Sequence, residues 1–174
     1  MIVISDSSPL NYLILIGQAD LLQKLYGQVL IPPAVYHELQ RPSAPPAVRD
    51  WMAQSPVWLK TYQAAIFPDT TLNRLDPGER EAIALAETLR ADAILIDERD
   101  GRRVAEQRHL TVIGTLQILD TAAENGLIDL PTVLDQLQST TFRVSTRLLK
   151  IFLNRDAARK KRTTSPAAET PEAL

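Results

Sequence analysis

The chain contains no cysteine. That absence excludes disulfide staples, thiol catalysis and cysteine-held zinc or iron–sulfur centres. Histidine is nearly as scarce: the two present, His37 and His109, stand far apart with no partner one helical turn away. An imidazole-rich metal site therefore has no support, and any metal must be held by oxygen. Long apolar runs are missing as well. The longest, "YLILIG" from Tyr12 to Gly17, falls far short of the roughly 20 residues that a membrane-crossing helix needs. No basic segment precedes a signal-peptide-like core, so the expectation is a cytoplasmic protein without membrane association. Charge of one sign is also not in excess. The formal net charge of −2 gives no global attraction to nucleic acid, although a local basic patch can still bind it.

What remains is a soluble globular composition, 45% hydrophobic and 23% charged over 174 residues, enough for one domain with a real core. Short branched apolar runs recur as "IVIS" (2–5), "QVLIP" (28–32), "VWLKTY" (57–62), "AILID" (93–97) and "LTVIG" (110–114), and read as strands. Stretches of helical character alternate with them: "LNYLILIGQADLLQKLYG", "PAVYHELQ" running past a Pro-rich break to "AVRDWMAQ", "DPGEREAIALAETLRA" and "GRRVAEQRH". Such alternation, with strands apolar on both faces, predicts a three-layer α/β/α sandwich around a mainly parallel sheet of four or five strands. Gly17, Gly27 and Gly126 punctuate helix ends. Residues 68–78 read as a loop leading into a helix. Two further helices are expected before residue 154, and from 155 to 174 the composition loses apolar periodicity and reads as a disordered basic and polar tail.

The acids fall at particular places on this plan. Asp6 follows the first strand and Asp97 the fourth, so both stand at the carboxyl edge, where open α/β sheets bind ligands. Glu38 lies about two turns into the helix after the second strand, and Glu79 opens the helix that leads to the fourth. Each acid has an ordinary structural explanation, Asp6 and Glu79 as helix-start residues, Glu38 as a solvated helix residue and Asp97 as part of a turn. Converging on one edge, however, they would repel one another unless a cation lay between them, and Mg²⁺ or Mn²⁺ is the natural complement.

"VISDSSPLNYL", "IPPAVYHEL", "LDPGEREAIALA" and "AILIDERDGRRVAEQRHLTVIGT" together resemble the successive motifs of the PIN-domain family of metal-dependent ribonucleases, and more closely its branch of small VapC-type toxins. The resemblance spans about residues 1–150. It implies that Asp6, Glu38, Glu79 and Asp97 are the catalytic, metal-binding acids, with Asp100 as an additional metal ligand. Asp6 would then both cap the first helix and bind metal. Glu81 competes with Glu79 for the third place, and helical geometry lets only one of them face the site. Ser7 and Ser8 match polar positions that support the first acid, and Ser7 is counted with Arg99, Arg102 and Arg103 among residues that would contact RNA. The implied function is cleavage of single-stranded RNA by the toxin of a toxin–antitoxin pair, with a small antitoxin protein and a second copy of the chain as partners. A catalytically silent PIN-like module that binds RNA or protein is the alternative. Two helical faces offer surface for partners: Val35, Tyr36, Leu39, Trp51 and Met52 on one, Val144, Leu148, Ile151 and Phe152 on the other. At least one of them should pack on the core.

Overall fold

The computed structural model describes residues 1–63 and 69–164. All five expected strands are present, each shorter than its apolar run: β1 (Val3–Ser5), β2 (Val29–Ile31), β3 (Leu59–Thr61), β4 (Ala93–Leu95) and β5 (Val112–Ile113). They form one sheet in the order β3-β2-β1-β4-β5, with every neighbouring pair parallel. The chain winds outward from β1 through β2 to β3, then crosses to β4 on the other side of β1. The direction of winding thus reverses between β1 and β4, and their carboxyl ends flank the crevice that such a reversal opens.

The helices among the described residues are α1 (Ser7–Leu15), α2 (Leu21–Tyr26), α3 (Pro33–Leu39), α4 (Pro46–Ala53), α5 (Pro77–Leu89), α6 (Arg99–Gln107), α7 (Thr115–Glu124), α8 (Leu130–Gln138) and α9 (Thr146–Thr164). A short 3-10 turn, Thr70–Leu72, precedes α5. Gly17 separates α1 from α2 with φ +67, a left-handed turn that a side chain would strain. Prolines at the first turns of α3, α4, α5 and α8 start helices without removing an internal hydrogen bond.

Alternation along the strands builds two cores. Val3 and Leu95 point to one side, where they pack with Leu10, Val35, Met52 and Leu119; Ile4, Ile94 and Ile96 point to the other and meet Ile83, Leu85 and Ala105. The three-layer sandwich is therefore built from β1 and β4, whose residues are buried throughout, with α5 and α6 covering one face.

Of the two apolar helical faces, the first belongs to the interior. Val35, Leu39 and Met52 are buried, and Tyr36 and Trp51 pack against the same core. The second is divided: Leu149 is buried, Val144 and Phe152 are partly so, while Leu148, Ile151 and Leu153 remain exposed.

The boundary expected after residue 154 falls inside α9, which continues to Thr164. Its basic run is held by acids rather than by apolar contacts. Asp120 on α7, buried, takes Arg155 at 2.9 Å and Arg159 at 2.7 Å; Lys160 reaches Asp129, just before α8, at 2.8 Å; and Asp156 is itself buried against Arg159 and Lys160. The remainder of the expected tail, 165–174, lies outside the described residues, as does residue 68 of the expected loop.

Candidate active site

Asp6 stands one residue beyond β1, and its amide donates to the Leu95 carbonyl at 2.9 Å, carrying the β1–β4 ladder to the edge of the sheet. It occupies the N-cap position of α1, yet its side chain makes no capping bond into that helix. Of the two roles expected of it, capping is by position alone. The Ser7 amide supports the carboxylate, but Oδ1 is buried with no hydrogen-bond partner among the described residues. Burial first, and then the negative charges of Asp76, Glu38 and Glu79, push this carboxyl up to about 8.

Glu38, half-buried on α3, is raised for the same reasons, burial and then Asp76, against the lowering effects of the Ser7 hydroxyl and Arg41. Ser7 therefore serves both acids, its amide on Asp6 and its hydroxyl on Glu38. It is buried and lines a pocket together with Glu38 and Arg41.

Asp76 is an acid that the sequence motifs did not single out. It caps α5 in a reciprocal box: its Oδ1 accepts the Glu79 amide at 2.9 Å, and Glu79 Oε2 accepts the Asp76 amide at 3.3 Å. Two residues on, Gly78 creates the space into which the acids converge. A Cβ there would lie 2.6 Å from Glu38 Oε2, 3.2 Å from Asp6 Oδ1 and 3.4 Å from Asp76 Oδ1. Carboxylates from the residue after β1, from α3 and from the cap of α5 thus converge on one opening, which only a residue without a side chain leaves clear.

Glu79 is buried, and its Oε1 has no hydrogen-bond partner among the described residues. A Cβ on Gly101 of α6 would lie 2.5 Å from that oxygen, so the carboxyl is enclosed between α5 and α6. Burial, then Asp76, push it up to about 7. Glu81 points elsewhere, its Oε2 accepting the Ala34 amide at 2.9 Å in the first turn of α3. That bond fastens α5 to α3 and occupies the alternative third acid.

Asp97 stands two residues beyond β4, the neighbour of β1, but both its oxygens are engaged at the start of α7: Oδ1 accepts the Thr115 amide at 2.8 Å and Oδ2 the Thr115 hydroxyl at 2.7 Å. Burial raises its carboxyl, while Thr115 and Arg102 oppose the shift. Arg102 turns inward, donating to the Ile96 carbonyl at 3.2 Å. Asp100 and Arg103 are exposed and paired with each other at 3.3 Å. Arg99 is exposed.

Among the described residues no group of three or more acids or histidines is arranged as a ready-made metal cage. The chemistry of the donors nevertheless suits a hard divalent cation. The three atoms nearest a Cβ at Gly78 are all carboxylate oxygens, and Asp6 Oδ1 is an orphaned buried acceptor.

The parallel α/β/α sandwich thus gathers carboxylates at its switch point. A family model described as PIN domain matches residues 2–157, and the chain belongs to that family. PIN domains are generally nucleases and typically use divalent metals. No curated protein and no solved structure gave a match. No helix among the described residues is long and apolar enough to cross a membrane.

Proposed function

We propose that the protein is a Mg²⁺- or Mn²⁺-dependent endoribonuclease that cleaves single-stranded RNA. The observation that carries this reading is the convergence of Asp6, Glu38 and Asp76 on the opening at Gly78. Asp6, Glu38 and Asp76 would hold the ion, with Glu79 enclosed behind them. Asp97 and Asp100 stand nearby as further acids of the same edge. When bound, the ion supplies neutralisation of the scissile phosphodiester and activation of water. The chain's own part is to hold the acids. Ser7 orients Asp6 and Glu38 together, the capping box fixes Asp76 and Glu79, and Thr115 fixes Asp97. Arg99, Arg102 and Arg103 lie beside Asp97 on α6 and supply cations for the RNA backbone, which carry affinity without sequence choice.

The test is incubation of the purified chain with single-stranded RNA in Mg²⁺, Mn²⁺ or a chelator. Cleavage is expected with either ion and is expected to stop on chelation; cutting that persists in chelator would overturn the reading. A silent binding module is the second reading, favoured by the two occupied oxygens of Asp97. It predicts RNA binding with no cleavage in either ion.

Asp76→Asn separates structure from chemistry. Asparagine caps a helix about as well as aspartate, so stability should change by only a few tenths of a kcal/mol. Removing the charge should still lower cleavage by more than about tenfold. Parallel melting curves and cleavage rates check this, and an unchanged rate would remove Asp76 from the acid set.

The same proposal extends to partners, as the toxin of a toxin–antitoxin pair and as a homodimer. The exposed Ile151 and Leu153 of α9 offer apolar surface for a second copy or for an antitoxin helix. Light scattering at about tens of micromolar decides the dimer: a monomer there would leave the surface to the antitoxin alone.

A further inference from the structure

A cavity of about 740 Å³ opens beside Asp97 and runs between α1, the start of α7 and the link from residue 141 to α9. Its volume is in the range of sites that enclose a small organic group. Asp97, Glu98 and Arg102 line it together with Tyr12, Phe142, Leu148 and Phe152. The Tyr12 and Phe142 rings meet edge to face, with centroids 4.9 Å apart and planes at 85°. That arrangement fixes both rings while using only one ring face for their mutual contact. The Tyr12 hydroxyl lies 3.4 Å from the Thr141 hydroxyl, placing polar groups at the aromatic wall.

Two arginines, Arg102 and Arg143, line this cavity together with the acids Asp97 and Glu98. Arg108, Arg155 and Arg159 are consumed by ion pairs with acids. Arg143, exposed on the cavity wall, takes part in none of the ion pairs among the described residues. Arg102 spends one Nη1 bond on a main-chain carbonyl and keeps further donors. Aromatic faces flanked by guanidinium groups suit a strand whose bases are unstacked and whose backbone is anionic. An apolar helix would have no use for the arginines, and a free phosphate none for the rings.

We infer that this cavity receives one unstacked base of a bound single-stranded RNA, the base packing on the Tyr12–Phe142 wall while Arg102 and Arg143 hold the adjoining phosphates. The inference rests on the ribonuclease reading for its choice of strand. It deepens that reading by naming how the strand is gripped next to the acid edge.

The full-length Asp6→Asn protein, in chelator so that nothing is cut, is titrated into a short fluorescein-labelled oligoribonucleotide of mixed sequence and followed by anisotropy. Adding Phe142→Leu, which keeps apolar volume and removes the ring, is expected to weaken binding by about tenfold. Adding Arg143→Gln is expected to weaken binding to every sequence by a similar small factor and to lower its salt dependence. A series of oligonucleotides, each with one base deleted, makes the assignment specific. One deletion should cost the Asp6→Asn protein about tenfold and cost the variant carrying Phe142→Leu nothing further. Unchanged melting temperature and near-ultraviolet dichroism outside the lost ring confirm that the variant is folded.

A deletion penalty that persists undiminished beside Phe142→Leu overturns the inference, and so does an absence of RNA binding by the Asp6→Asn protein. A sedimentation shift with RNA affinity unchanged would assign the cavity to a second copy of the chain and equally overturn it. In each case metal-dependent cleavage by the parent protein would leave the nuclease reading standing. Base-sensitive binding by a chain that cleaves nothing would do the reverse.

Discussion

Asp6→Asn is expected to remove RNA cleavage, by well over the roughly 100-fold that loss of an outer-sphere partner costs a metal site, while making the metal-free protein less sensitive to alkali. The two effects share one origin. The Asp6 carboxyl is pushed from 3.8 up to about 8, chiefly by burial and then by its acidic neighbours, so the metal-free fold favours the protonated form. A raised folded-state value contributes stability that is complete below about pH 4, where both states carry the proton. That contribution falls between about pH 4 and pH 8, as the unfolded chain ionises first, and is gone above. Keeping one carboxyl protonated across that range is worth on the order of a few kcal/mol. Glu79, raised from 4.5 to about 7, adds a smaller total loss of the same sign, which the variant keeps. Urea unfolding in chelator at about pH 5 and pH 8 should therefore show a steep loss in the parent and a shallower one in Asp6→Asn. Parallel losses would show that Asp6 is already ionised and stabilised by something else.

Much of this edge is legible in the sequence because it depends on local pattern. Five apolar runs separated by helical stretches fix a parallel sheet, and a sheet that reverses its winding beside β1 puts Asp6 and Asp97 on adjacent strand ends. Asp76, absent from the motif acids, has a visible signal: Asp-Pro-Gly-Glu is a capping box with proline at the first helical position. Its structural job accounts for it locally. The metal-holding role proposed for it depends on the place where the start of α5 meets α3, a contact that no spacing within one segment reveals. The competition between Glu79 and Glu81 stays open in the sequence for the same reason, since the Ala34 amide that takes Glu81 belongs to α3.

The C-terminal helix shows the opposite limit. "RDAARKKR" carries no apolar periodicity, and periodicity is the main guide to a packed helix. Here the stripe that packs is ionic. Asp120 and Asp129, far upstream, hold Arg155, Arg159 and Lys160, and bury Asp156 among them. Removing Asp120 would leave two guanidinium groups without that partner at a partly buried site. The acid is therefore the residue on which the last turns of the domain depend.

Gly78→Ala is expected to separate folding from function most sharply. Its Cβ would lie 2.6 Å from Glu38 Oε2, closer than two such atoms can approach. The obstructing atom is the far end of a flexible side chain, so Glu38 can swing away from Ser7 at little expense to the fold. Gly78 lies in the first turn of α5, where alanine gains up to about 1 kcal/mol in helix preference over glycine. The variant should melt within a few degrees of the parent, while the opening shared by Asp6, Glu38 and Asp76 is filled. Cleavage should fall by about 100-fold, with Mn²⁺ affinity, measured by calorimetry on the folded protein, falling in step. Gly101→Ala is the matched control on α6. Its Cβ would meet Ile96 Cδ1 and Glu79 Oε1, each at 2.5 Å. Ile96 is wholly buried and has nowhere to go, so this variant should lose about 1–3 kcal/mol of stability through overpacking. If Gly78→Ala cut RNA and bound Mn²⁺ like the parent, the three carboxylates would not be the metal's ligands, and the site would have to be sought around Glu79 and Asp97 instead.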